Sequence, residues 1–95
     1  VKTNLKGNII MKLTKEILES HVVEESYHQF PNTTVTVCCL TLDNGFDVIG
    51  YSTCIDKETF NAESGEKHAK ANAVGEMWEL YSFDARQKQK EANDG

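Results

Sequence analysis

Two β-rich runs flank a turn between Thr33 and Cys54, and apolar positions recur at helical spacing from Ala62 onward. Thr33–Thr41 is dense in β-branched residues, and Phe46–Cys54 also suits a strand. Such residues fit a pleated, half-buried surface. Between the two runs stands Asn44-Gly45, the strongest short hairpin signal, because a type I′ turn needs φ > 0 at both central residues. A two-residue loop there sets Asp43 opposite Phe46, Leu40 opposite Ile49, and Cys38 opposite Tyr51. One face then carries Cys38, Leu40, Leu42, Ile49 and Tyr51. The other carries Val35, Val37, Cys39, Val48, Gly50 and Cys54. Neither face is purely polar, so both are expected to be covered, one by a helix and the other by a second helix or another subunit.

Upstream, Thr14 is placed to cap a short helix from about Lys15 to Ser20, with Leu13, Ile17 and Leu18 on its apolar side. Val22–Phe30 reads as a third strand burying Val23, Tyr27 and Phe30, and Pro31-Asn32 as the turn into the hairpin. Downstream, Asp56 suits a short capped turn, and Asn61 suits the N-cap of a long helix. In that helix, spanning about 62–82, Ala69, Ala73, Met77 and Leu80 recur at helical spacing, with Val74, Trp78 and Tyr81 beside them. Ala69 and Ala73 permit a close approach to the sheet, as does Gly50. Gly65 costs about 1 kcal/mol against alanine inside a helix, and so marks close packing or the helix start. The expectation is an α+β domain: a small antiparallel sheet built on the hairpin, with the long C-terminal helix across one face. Residues 1–12 read as an N-terminal extension, 13–83 as a single domain, and 84–95 as a polar, partly helical tail.

Composition narrows the function classes. A net charge of −5 argues against sequence-independent binding to a nucleic-acid backbone, which needs clustered Lys and Arg. No apolar run approaches the roughly 18 residues of a membrane span. Cys38, Cys39 and Cys54 form no disulfide framework and no CxxC, so they read as small core hydrophobes in a reducing compartment. His21, His28 and His68 match no metal-ligand spacing. No nucleophile–base pair is evident, so neither an enzyme nor a cofactor is expected. A chain this short buries a modest core, which favours a homo-oligomer.

One collinear block carries a resemblance. It runs through Tyr27-His28-Gln29-Phe30, Thr34–Cys38, Leu40-Thr41-Leu42-Asp43-Asn44-Gly45-Phe46 and Gly50–Cys54. It continues through Phe60, Gly65, Ala69, Asn72-Ala73 and Trp78-Glu79-Leu80. This block resembles a family of small tailed-bacteriophage proteins of long-unassigned function. More distantly, it is similar to phage anti-Thoeris proteins that sequester cyclic ADP-ribose isomers without degrading them.

The resemblance implies a phage counter-defence protein in the host cytoplasm, with a small cyclic nucleotide (a cyclic ADP-ribose isomer or cyclic oligonucleotide) held at a subunit boundary. The ligand-binding residues it points to are Phe60 for base stacking, Lys67 and Lys70 for phosphates, Asn72 for a ribose or base edge, and Arg86 for a bidentate phosphate contact. The plainer reading of the same residues makes Phe60 a core plug, leaves the lysines solvated, and uses Asn72 to tie helix to sheet. Relatives often carry a basic residue where this chain has Gly75-Glu76, and its loss weakens a phosphate site. The second functional expectation is a small acidic phage protein that binds and inhibits a host protein.

Overall fold

The computed structural model describes residues 13–94; the expected extension at residues 1–12 lies outside them. The elements in chain order are α1 (Lys15–Ser20), β1 (Val22–Gln29), β2 (Thr36–Leu42), β3 (Asp47–Ser52) and α2 (Ala62–Asp94). The strands form one antiparallel sheet in the order β1-β2-β3, so β2 is central and β1 and β3 are edges. This is the expected α+β architecture, with α2 laid across one face.

The helix ends carry the caps that the sequence predicts. Thr14 Oγ1 accepts from Ile17 N at 3.1 Å, and Asn61 Oδ1 accepts from Ser64 N at 3.0 Å. Asp56 Oδ1 accepts from Glu58 N at 2.9 Å in the turn before α2. Each bond satisfies a backbone donor that has no partner inside its own helix or turn. The helix α2 runs further than the apolar repeat, through 33 residues to Asp94. Past Phe83 its surface is polar, with Lys88–Asp84 and Lys90–Asp94 pairs spaced i,i+4. Such pairs support helix where no core remains.

The hairpin turn differs from the expected one, and the difference moves residues between faces. Leu42 N bonds Phe46 O at 2.8 Å and Gly45 N bonds Leu42 O at 2.9 Å. Only Gly45 within the loop has a positive φ, at 89°. The loop therefore has three residues, a type I-like turn closed by a left-handed glycine, where a type I′ turn would need Asn44 left-handed as well. Asn44 serves instead through its side chain, accepting from Phe46 N at 3.0 Å. Asp43 is held from outside: its N–H donates to His21 O at 2.8 Å, and its carboxylate meets His21 Nδ1 at 2.8 Å.

The extra loop residue shifts the register by one, so Leu40 faces Val48, Cys39 faces Ile49 and Cys38 faces Gly50. A one-residue slip exchanges the faces of a whole strand. Val48 and Gly50 thus join Thr36, Cys38, Leu40 and Leu42 beneath α2, while Ile49 and Tyr51 turn outward, 59% and 64% exposed. Among the described residues nothing covers the outer face of Val37, Cys39, Ile49 and Tyr51; α1 packs against α2 and β1 instead.

The core consists of Leu18, Cys38, Leu40, Leu42, Val48, Ala69, Ala73, Val74 and Met77. Small residues set how close α2 sits. A Cβ on Gly50 would fall 2.1 Å from Ala73 N and 2.5 Å from Ala69 O. A Cβ on Gly65 would fall 2.7 Å from Thr36 Oγ1. Both glycines therefore mark close helix–sheet contact.

Burial differs from the expected pattern in β1 and in α2. In β1 the register shifts between Val22 and Glu24, so Val22 pairs with Leu42 and packs on the core while Val23 is 64% exposed. A bulge reverses which alternate residues point inward. Phe30 is also exposed, its ring set edge-on to His28. In α2, Met77 and Tyr81 pack on the core, but Trp78 and Leu80 remain partly exposed. Trp78 sits about 100° round the helix from Met77. Leu80 lies at the hairpin end, where it lines a small hollow with Leu42 and Phe46.

Candidate functional site

The flank of α2 beside β3 carries a cleft in two adjoining parts. The part at the start of α2, about 260 Å³, is lined by Phe60, Asn61, Ser64, Gly65 and His68 from the helix side. Thr34, Ser52, Thr53, Cys54 and Thr59 complete it. The second part, about 760 Å³, continues along β3 from Thr53 to Ile49. Its helix wall is His68, Ala71, Asn72, Gly75, Glu76 and Glu79. Ser52, Thr53 and His68 line both parts, so the cleft is continuous.

Its walls follow from the sequence. The helix residues recur at three- and four-residue steps and so share one side of α2. Gly50 lets the helix lie close, and Ser52 Oγ donates to Gly65 O at 2.7 Å, fastening the end of β3 to the first turn of α2. Thr34 Oγ1 donates to Cys54 O at 2.6 Å and accepts from Cys54 N at 3.1 Å, which closes the rim. Asn72 Nδ2 donates to Tyr51 O at 2.7 Å across the groove. The buried Thr36 Oγ1 sits against Gly65 without a hydrogen-bond partner.

Of the five residues singled out in the sequence, the cleft brings two together, Phe60 at one end and Asn72 along the wall. Lys70 turns the other way. Its Nζ lies 3.3 Å from Glu25 Oε2 on β1, the opposite edge of the sheet. Two residues apart on a helix means about 200° of rotation, so Lys70 and Asn72 cannot present one common face. Lys67 is exposed and lines neither part of the cleft. Arg86 is five full turns beyond His68, on the same side of the helix but about 27 Å along its axis. Neither part of the cleft is lined by a lysine or arginine. His68 and the hydroxyls of Ser52, Thr53, Thr59 and Ser64 were not singled out. Their place in the cleft depends on the hairpin register, which the turn sequence alone leaves between two loop lengths.

The other polar cluster lies beneath the β1 flank. Tyr27 OH donates to Glu25 Oε2 at 2.6 Å, and Lys70 approaches the same oxygen. Tyr27's bond holds Glu25 below the usual carboxylate range; burial opposes it, and Lys70 adds to the lowering. Burial, then the Glu25 bond, raises Tyr27 well above an ordinary phenol. Burial also raises Cys38. Its thiol therefore stays protonated and is a poor nucleophile. All three cysteines are free. Among the described residues, no group of His, Cys, Asp or Glu is disposed to hold a metal, and no helix is long and apolar enough to cross a membrane.

A model of the phage protein (N4 Gp49/phage Sf6 gene 66) family matches residues 13–89, which include every element of the fold but the last turn of α2. The chain belongs to that family. No curated protein and no solved structure gives a match. The matched span contains the whole cleft, from Thr34 to Glu79. The match speaks for a phage protein; it does not extend to the anti-Thoeris proteins.

Proposed function

We propose that this phage protein is a non-catalytic binder that sequesters a small nucleotide signal, of the cyclic ADP-ribose or cyclic oligonucleotide class, in the host cytoplasm. The observation that carries the reading is the continuous cleft joining Phe60 to Asn72, next to the N-terminus of α2. An aromatic ring for a base, and a row of hydroxyls and an amide for ribose edges, are groups such a ligand needs. The resemblance read in the Tyr27–Leu80 block suggests the same class of ligand.

The cleft lacks the cations that phosphates prefer, and Lys70 is engaged with Glu25. In this reading the missing charge comes from a second copy, with Arg86 on the projecting part of α2 as the residue to supply it. The protein then acts as a homo-oligomer. Binding, not turnover, is the proposed activity.

Calorimetric titration with cyclic ADP-ribose isomers tests the reading, using wild type, Phe60→Ala and Arg86→Glu. Wild type is expected to bind and each variant to bind at least about tenfold more weakly, since stacking on one aromatic is worth roughly 1–3 kcal/mol. Equal affinities for the three proteins would remove the cleft from the account.

The second reading is a protein that binds and inhibits a host protein. The outer sheet face favours it, because Ile49 and Tyr51 are exposed there beside Val37 and Cys39.

A further inference from the structure

The wider end of the cleft differs from the Phe60 end in charge and in backbone. Its helix wall ends in Glu76 and Glu79, neither of which has an ion-pair partner among the described residues. Its other wall is the free edge of the sheet. Hydrogen-bonded positions alternate along an antiparallel pair. Leu42 is bonded to Phe46, and the register carries that phase to Val48 and Gly50. Ile49 and Tyr51 therefore point their N–H and C=O groups away from β2, into the groove. The bond from Asn72 to Tyr51 O agrees with that phase. It leaves the second lone pair of that carbonyl, the Tyr51 N–H and both Ile49 groups open to a further strand.

The groove also has room. Ala71 and Gly75 form its floor on the helix side. A side chain added at Gly75 would meet nothing within 4 Å. An exposed strand edge normally carries a charge, a proline or a cover against unwanted pairing. Here Asn72 spans one carbonyl, and the strand edge itself from Ile49 to Thr53 carries no charged residue.

We propose that this end of the cleft takes an extended, basic peptide segment of a partner protein, added as a fourth strand on β3. Its backbone pairs with Ile49 and Tyr51. Its alternate side chains enter over Ala71 and Gly75, and its lysines or arginines meet Glu76 and Glu79. Strand addition into a groove between a sheet edge and a helix draws affinity from main-chain bonds and selectivity from the alternate side chains. The two acidic residues disfavour an anionic group beside them, so a nucleotide's phosphates belong at the Phe60 end; Asn72 borders both proposed sites, and the peptide proposal does not depend on the nucleotide reading.

The test is a titration of ¹⁵N-labelled protein with three synthetic peptides at up to millimolar concentration. One alternates lysine and valine, one alternates glutamate and valine, and one is the lysine–valine peptide with a central proline. The basic peptide is expected to shift the Ile49 and Tyr51 amides and slow their exchange with solvent. The acidic peptide is expected to shift neither, and the proline to weaken binding about tenfold by removing a main-chain donor. The double variant Glu76→Lys, Glu79→Lys changes two exposed side chains and keeps the fold, which its unchanged spectrum elsewhere verifies. It is expected to exchange the preference for basic peptide with one for acidic peptide. Equal response to both charged peptides, indifference to proline, no response at all, or shifts confined to the Val37 and Cys39 face would each overturn the proposal. Nucleotide binding can fail while the peptide result stands, and the reverse.

Discussion

Lys70 and Asn72 stand two residues apart on α2 and grip opposite edges of the sheet. Lys70 meets Glu25 on β1 at 3.3 Å, and Asn72 donates to Tyr51 O on β3 at 2.7 Å. The pair therefore fixes the helix across the strands, and only Asn72 faces the cleft. The two contacts differ in kind. Lys70–Glu25 is a part-exposed ion pair, worth about 0–1 kcal/mol. Asn72 supplies a neutral hydrogen bond to an edge carbonyl, worth about 1 kcal/mol. In urea unfolding, Asn72→Ala is expected to cost about 1 kcal/mol and Lys70→Ala less. In hydrogen exchange, only Asn72→Ala should raise the Tyr51-edge amides. A larger loss for Lys70→Ala would mean that the β1 flank, not the β3 flank, anchors the helix.

Gly50 and Gly75 make opposite predictions from one substitution. Alanine at 50 drives a methyl group into the backbone of Ala73, within 2.1 Å. Overpacking of this kind costs roughly 1–3 kcal/mol or more, and here backbone, not a flexible side chain, must move. Alanine at 75 meets nothing within 4 Å, so helix propensity alone acts and about 1 kcal/mol is gained. Thermal unfolding should show a fall in Tm for Gly50→Ala and a rise of about 4–8 °C for Gly75→Ala. A neutral Gly50→Ala would show that the helix stands further from the sheet than described.

Thr36 buries a hydroxyl without a partner. An unpaired buried hydroxyl costs about 1–3 kcal/mol by mutational measures. Thr36→Val keeps the branched shape and removes that oxygen, so it should raise the midpoint of urea unfolding. A drop instead would reveal a hydrogen bond to Thr36 in solution.

Glu25 links stability to acid pH. Its carboxyl titrates below the ordinary value in the folded chain, first because Tyr27 donates to it and then because Lys70 is near. A depressed carboxylate contributes stability that is present above the unfolded value of 4.5 and lost as pH falls through the lower folded value. Below pH 4.5 the wild type should therefore lose stability faster than Glu25→Gln. Parallel acid profiles for the two proteins would show that the Tyr27–Glu25 bond is not maintained.

Much of the fold was readable because caps and small residues act locally. Thr14, Asp56 and Asn61 cap as their side chains dictate, and the Ala69–Ala73 spacing marks the face pressed on Gly50. The register was not readable from Asn44-Gly45, since that pair suits a two-residue loop and the glycine also suits a three-residue one. In the structure His21 holds Asp43 from outside the hairpin, a contact that the turn sequence does not declare. The bulge at Val22 is likewise set by pairing with Leu42, which no local pattern in β1 declares. For the cleft, Phe60 and Asn72 were found from the resemblance. Lys70 was assigned by its charge and proximity in sequence, while its direction depends on which side of α2 faces β1.

The proposed function is retention of an intact nucleotide signal. The direct measurement is to incubate the purified protein with the products of a bacterial TIR enzyme, remove free ligand, denature the protein by heat, and identify what is released by mass spectrometry. Wild type is expected to release an unaltered cyclic ADP-ribose isomer, and Phe60→Ala markedly less. Release of nothing, or of a hydrolysed product, would contradict it.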